Sequence, residues 1–352
     1  MDYNLLQSHT IDIYDLKNHK GELRVMSARN LLSVSRFDLF AKLYYIDNIH
    51  SDPDRATRVY CEHIKAFNPD GKEPGRTDKN GVIDFVKSFN TLIKTFRDNK
   101  FDDSISLVPI DRNGVILDGA HRVAALAYFN REVSVVQFND IEAKCRFDYA
   151  YFKNCGLSWA VCDMIALEMI KWNKYVLAAC IWPTNSKVQQ QTILSSLSKS
   201  HLIAYVKEIS CGYLSLTNFV RRIYHNQEWT LNNLAVQDKS SRIYGKSKLL
   251  IAFIESKVDN KTLVAEKEAI RSLMGRGKDS LHITDNHIET YDIAEIALKE
   301  NAVNGWRQIS NLSIFTRFLK YFDERFFVFK NVQWIKFKVV IYNLLKNRGK
   351  FL

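Results

Sequence analysis

The residues carrying most chemistry per position are Asp118-Gly119-Ala120-His121-Arg122. An apolar run, Val115-Ile116-Leu117, stops at an acid and a glycine, and a helix-forming run starts at Ala120. Glycine lets the backbone turn tightly and lets a ligand come close to the main chain. The first amides of a helix have no internal partners and sit at the positive end of its dipole, so such a turn is a ready anion site. Gly119 and Ala120 would offer main-chain donors to a phosphate, and His121 and Arg122 would add side-chain donors. Asp118, just before the turn, is placed to ligate a metal ion, to act as a base or to orient His121. The plainer alternative is that Asp118 caps the helix, Gly119 makes the turn and the two basic residues face solvent.

Two other constellations stand out. Arg36, Asp38 and Lys42 fall on one short helical stretch, with Asp38 and Lys42 at i and i+4. They read either as a surface ion pair or, if this helix packs over the anion site, as chemistry. In the second case Asp38 is a base or metal ligand, and Arg36 and Lys42 are phosphate-binding cations. Gly275-Arg276-Gly277-Lys278, followed by His282, Thr284 and Asp285, is the other. It lacks the spacing of a P-loop. It reads either as a second substrate-binding loop or as the start of a helix capped by Thr284 or Asp285.

The elements that must position these residues follow from periodicity. Apolar spacing predicts helices over residues 33–49, 54–66 and 81–99, with a loop over 68–80. Residues 104–109 and 115–117 read as a strand hairpin around Asp111-Arg112-Asn113-Gly114, residues 120–130 as a helix and 133–138 as a buried strand. Beyond a connecting helix at 158–173, strands at 176–182, 202–209 and 249–254 alternate with helices at 187–198, 216–225 and 263–274. That alternation predicts a partly parallel sheet. The expected fold class is α/β. Residues 1–140 form an α+β nucleotide-binding domain, 157–312 a second α/β domain assigned to acceptor binding, and 313–352 a basic, aromatic helical tail. The boundary is placed near residues 140–156.

Composition sets the outer limits. With 46% hydrophobic and 12% aromatic residues in 352, the chain can bury a sizeable core, which excludes a disordered class. The formal charge of +11 favours an anionic partner: nucleotide phosphates, nucleic acid, an acidic glycan precursor or a membrane surface. The six cysteines show no C-x-x-C pair and no metal-type spacing with histidine. Residues 1–15 lack the basic and apolar regions of a signal peptide, so a cytoplasmic protein is expected. The tail over 315–352 mixes aromatics with lysine and arginine. It reads as a packed helix pair with snorkelling lysines, as a peripheral contact with the inner face of an anionic membrane, or as a nucleic-acid contact.

Val108-Pro109-Ile110, then Val115 to Arg122 and Ala124-Ala125-Leu126, resembles the core of the ParB/sulfiredoxin superfamily over residues 101–139. That superfamily includes ParB-type partition proteins, sulfiredoxins and a free-serine kinase, and in it this turn cradles nucleotide phosphates. The catalytic cysteine that sulfiredoxins place before the His-Arg pair is Ala120 here, so the resemblance does not extend to sulfiredoxin chemistry. The form is nearest the kinase pattern Asp-Gly-His-His-Arg, with Ala120 in place of the first histidine. The run Arg36 to Lys42 ahead of this unit is also similar to uncharacterised proteins of bacterial surface-polysaccharide gene clusters. The resemblance implies a phosphotransferase using ATP or ADP with Mg²⁺ and phosphorylating a small hydroxyl compound, a sugar or an amino acid. Asp118 would be metal ligand or base, His121 and Arg122 phosphate donors and Lys42 an auxiliary clamp. A ParB-like nucleic-acid-binding or nucleotide-switch protein is the alternative, although no helix-turn-helix is evident after the core. A non-catalytic scaffold of a glycan complex is the third.

Overall fold

Buried stripes and helix caps account for most of the elements. The computed structural model describes residues 3–72, 79–98 and 106–299, which fold as an α/β protein. The first part runs α1 (Ser8–Tyr14), β1 (Gly21–Ser27), α2 (Phe37–Asn48), α3 (Pro53–Phe67), α4 (Val82–Arg97), β2 (Val108–Ile110), α5 (Ala120–Tyr128) and β3 (Glu132–Phe138). It continues through α6 (Tyr149–Asn154), α7 (Trp159–Trp172), β4 (Val176–Ile181), α8 (Lys187–Leu197), β5 (Leu202–Ile209) and α9 (Tyr213–Ile223). The last stretch is α10 (Asn233–Ile243), β6 (Leu249–Glu255), α11 (Asn260–Met274), β7 (Leu281–Ile283) and α12 (His287–Leu298). Phe85, Phe89, Ile93 and Phe96 recur at helical spacing on α4 and are all buried. Asp52 starts α3 by accepting from the Arg55 amide with Pro53 in the first turn, and Ser158 starts α7 in the same way.

The first sheet has the order β1-β3-β2. β2 and β3 are parallel, joined through α5, and β1 lies antiparallel on the outer edge of β3. The expected hairpin is smaller than its sequence suggests: residues 115–117 form only an isolated bridge, Ile110 to Ile116. Asp111 replaces strand pairing there. Its buried carboxylate accepts from the amides of Asn113, Val115 and Ala143, and so pins the turn that delivers Asp118.

The second sheet, β5-β6-β4-β7, corrects an expectation, because every neighbouring pair in it is antiparallel. β4 and β5 do run in the same direction, but β6 inserts between them. Its fully buried residues from Leu249 to Glu255 are flanked on both sides. Helix α7 packs against α2 and against α12, so the two sheets share a helical layer across the expected boundary at 140–156. Met1–Asn304 is one compact unit. The other, Gly305–Leu352, lies outside the described residues. The basic tail expected over 313–352 and its membrane contact fall there. Among the described residues, no helix is long and apolar enough to cross a membrane.

Candidate functional site

The loop between β2 and α5 places the Asp118–Arg122 segment. Gly119 is the N-cap of α5 and holds φ 85°, ψ 23°, a left-handed conformation that suits glycine. No side chain caps this helix. Its first amides therefore remain donors at the positive end of a nine-residue helix. The 118–122 turn lines a cavity of about 720 Å³ together with residues of α1, α2, α3 and α4 and of the segment ahead of α6. That volume suits a small ligand. Among the described residues, its lining carries five cationic side chains, Arg36, Lys42, Lys79, Arg122 and Lys144, against two carboxylates, Asp38 and Asp118.

Arg122 folds back over the turn. Its guanidinium donates to the Ser106 hydroxyl, and burial lowers its pKa against the pull of Asp118. His121 is half-buried. Its Nε2 lies 2.7 Å from the Tyr60 hydroxyl, and its ring stands edge-on to Phe89 with centroids 4.8 Å apart. Burial, with Lys42 and Lys79 nearby, holds His121 well below the usual imidazole range. A neutral His121 can donate one hydrogen bond and accept one. Asp118 lines the cavity, and its buried Oδ2 has no hydrogen-bond partner among the described residues. An orphaned carboxylate oxygen beside the first amides of α5 would fit a magnesium ion, which needs only one or two carboxylates when ligand phosphate oxygens complete its shell. Among the described residues there is no group of three or more His, Cys, Asp or Glu side chains that could form an all-protein metal site.

The start of α2 does pack over the turn, but it assigns Asp38 a different role from the expected one. Asp38 is only 2% exposed. Its Oδ1 accepts from Arg36 Nε at 2.8 Å, and its Oδ2 from Arg36 Nη2 at 2.9 Å and Lys42 Nζ at 3.1 Å. Burial opposes its charge, yet the two cations hold the carboxyl far below its usual range. Such a group neither takes a proton near neutral pH nor has a free oxygen for a metal, so Asp38 is a fixed counter-ion. Arg36 also donates to the Ile116 carbonyl. The Arg36–Asp38–Lys42 cluster thereby ties α2 to the residues entering the turn.

Tyr60, Lys79, Lys144 and His63 were not anticipated. Tyr60 and His63 lie three residues apart on one face of α3, a spacing readable from sequence, but nothing local aims that face at His121. His63 is 1% exposed and neither ring nitrogen has a partner; burial and the neighbouring Lys42 push its pKa well down.

The glycine-rich stretch near residue 275 does not reach this cavity. Gly275 ends α11 in a left-handed cap, and Asp279 pairs with Lys239 and Arg242. Lys267 holds Asp285, and His282 faces Glu289. The cap of α12 is Asn286, where Thr284 or Asp285 was expected. Thr284 instead bonds the Ala178 amide and Thr290, because β7 pairs with β4.

Comparison with protein-family models, curated proteins and solved structures finds no match to this chain.

Proposed function

We propose that this chain is a nucleotide-dependent phosphotransferase of the cytoplasm, binding ATP or ADP with Mg²⁺ and phosphorylating a small hydroxyl compound such as a sugar or an amino acid. The observation that carries this reading is the uncapped start of α5, opened by Gly119 into a cation-rich cavity. The ParB/sulfiredoxin-like motif over residues 101–139 supports the same assignment, and the likeness of the residue 36–42 run points to surface-polysaccharide synthesis as the setting.

Phosphoryl transfer is catalysed mainly by positioning and charge neutralisation. The amides after Gly119 and the Arg122 guanidinium would hold the phosphates. Neutral His121, oriented by Tyr60, would add one hydrogen bond without demanding a proton. Asp118 would hold Mg²⁺ against the phosphate oxygens, where the ion supplies charge neutralisation. Arg36 and Lys42, anchored on Asp38, would keep the site positive. The cations converge inside a cavity, which fits a nucleotide better than the long face of a nucleic-acid duplex and favours this reading over a ParB-like DNA binder.

Isothermal titration with ATP and with ADP in the presence of Mg²⁺ tests the reading. Saturable binding in the wild type and a loss of about tenfold or more in Arg122→Ala are expected, as for removal of a charged hydrogen bond. Absence of nucleotide binding in the wild type removes the assignment.

A further inference from the structure

A cavity that holds a nucleotide by its phosphates must also seat the base, and one wall of this cavity is aromatic. Phe67, Phe147 and Tyr151 all line it. Each is half-buried. Phe147 stands edge-on to Phe67 and to Tyr151, with ring centroids 4.9 and 5.1 Å apart. Phe67 closes α3, Tyr151 belongs to α6 and Phe147 lies just ahead of α6, so three separate backbone positions converge on one wall. Arg36 joins this wall to the charged pole. Its guanidinium carbon lies 5.1 Å from the Phe147 ring centre, while its nitrogens pair with Asp38 and the charge of Asp118 acts on it. Asn68, next to Phe67, brings an amide side chain to the same lining.

We propose that Phe67, Phe147 and Tyr151 are the base-stacking wall of a nucleotide site whose phosphates lie at residues 119–122. The proposal rests on the phosphate-binding reading above and adds what the rest of the ligand must be: a planar base. Stacking uses the π-face that every base has. The wall therefore demands a base without strongly choosing one, and adenine and guanine nucleotides bind within a few-fold of each other.

The test compares nucleotides with the bare phosphate chain. The full-length protein, with Mg²⁺ and at fixed ionic strength, is titrated with ADP, GDP and inorganic pyrophosphate. The wild type is expected to bind ADP and GDP about tenfold or more tighter than pyrophosphate. Tyr151→Ala loses most of that advantage while its pyrophosphate affinity stays within about twofold. Because truncation can loosen α6, Tyr151→Leu, which keeps apolar volume, is measured beside it and follows the same pattern; retained pyrophosphate binding reports an intact fold. If ADP holds no advantage over pyrophosphate in the wild type, or if both variants keep the full advantage, the stacking wall is overturned and the phosphate site stands. If neither pyrophosphate nor ADP binds the wild type, the phosphate site itself fails and the wall fails with it.

Discussion

Replacing Gly119 by alanine separates backbone strain from loss of the anion site. At φ +85° an L-residue sits in the left-handed region, at a cost of about 1–2 kcal/mol. A Cβ there would also stand 3.2 Å from Val108 Cγ2 and 2.9 Å from Arg122 Nη2. Val108 is fully buried in β2 and has little room to give, which adds about 1 kcal/mol of overpacking. The guanidinium is the far end of a flexible side chain and simply swings away, costing little stability but displacing the donor proposed for phosphate. The total is a destabilisation of about 2–3 kcal/mol with a loss of pyrophosphate affinity of roughly 10- to 100-fold, as for one charged hydrogen bond. Gly114 is the internal control: it has φ +76°, and its Cβ would meet nothing within 4 Å. Gly114→Ala should show the strain alone, about 1–2 kcal/mol, with unchanged binding. Urea unfolding followed by tryptophan fluorescence gives the stabilities, and calorimetric titration with pyrophosphate gives the affinities. If Gly119→Ala binds pyrophosphate as tightly as Gly114→Ala, the reasoning that places phosphate at this turn is refuted.

Asp38→Ala leaves two buried cations facing each other and should destabilise the fold by about 3–5 kcal/mol in urea; a loss below about 1 kcal/mol would contradict its role as counter-ion. His63 and His121 are both held neutral by burial, with pKa values depressed in the folded state. The unfolded chain therefore takes up more protons below about pH 6.5. Stability is complete above that pH and falls on acidification by up to about 1.4 kcal/mol per pH unit for each histidine. His63→Phe also removes two buried nitrogens without partners. It should roughly halve the slope of the urea midpoint against pH in this acidic window, and an unchanged slope would show that His63 is not buried as a neutral base.

The parts of the fold legible in sequence are those whose pattern is local. The buried stripe of α4, the β2–α5–β3 unit and β5 show clear apolar spacing, and the αL glycine at 119 is readable because an acid and a helix flank it. β1 escaped because its apolar side chains, Leu23 and Val25, point outward at 67% and 62% exposure, so pairing with β3 rather than a buried face makes it a strand. Helix α10 escaped for a similar reason: only Val236, Lys239, Ser240 and Ile243 are buried on it. The direction of the second sheet was misread because alternating strands and helices look alike whether the next strand pairs at once or leaves room for β6. At the site, sequence supplied Asp118 to Arg122 and the approach of Arg36, Asp38 and Lys42. The roles within that trio depended on distances of about 3 Å that only the fold sets. Lys79 and the aromatic wall reach the cavity, and Tyr60 reaches His121, solely through tertiary packing.

The most direct test of the central claim is a crystal structure of the protein with ADP and Mg²⁺. Phosphate oxygens within about 3 Å of the amides that follow Gly119, with Arg122 turned onto them and the metal ion on Asp118 Oδ2, are the predicted result. Phosphates found elsewhere on the chain, or a 118–122 turn closed by neighbouring side chains, would contradict it.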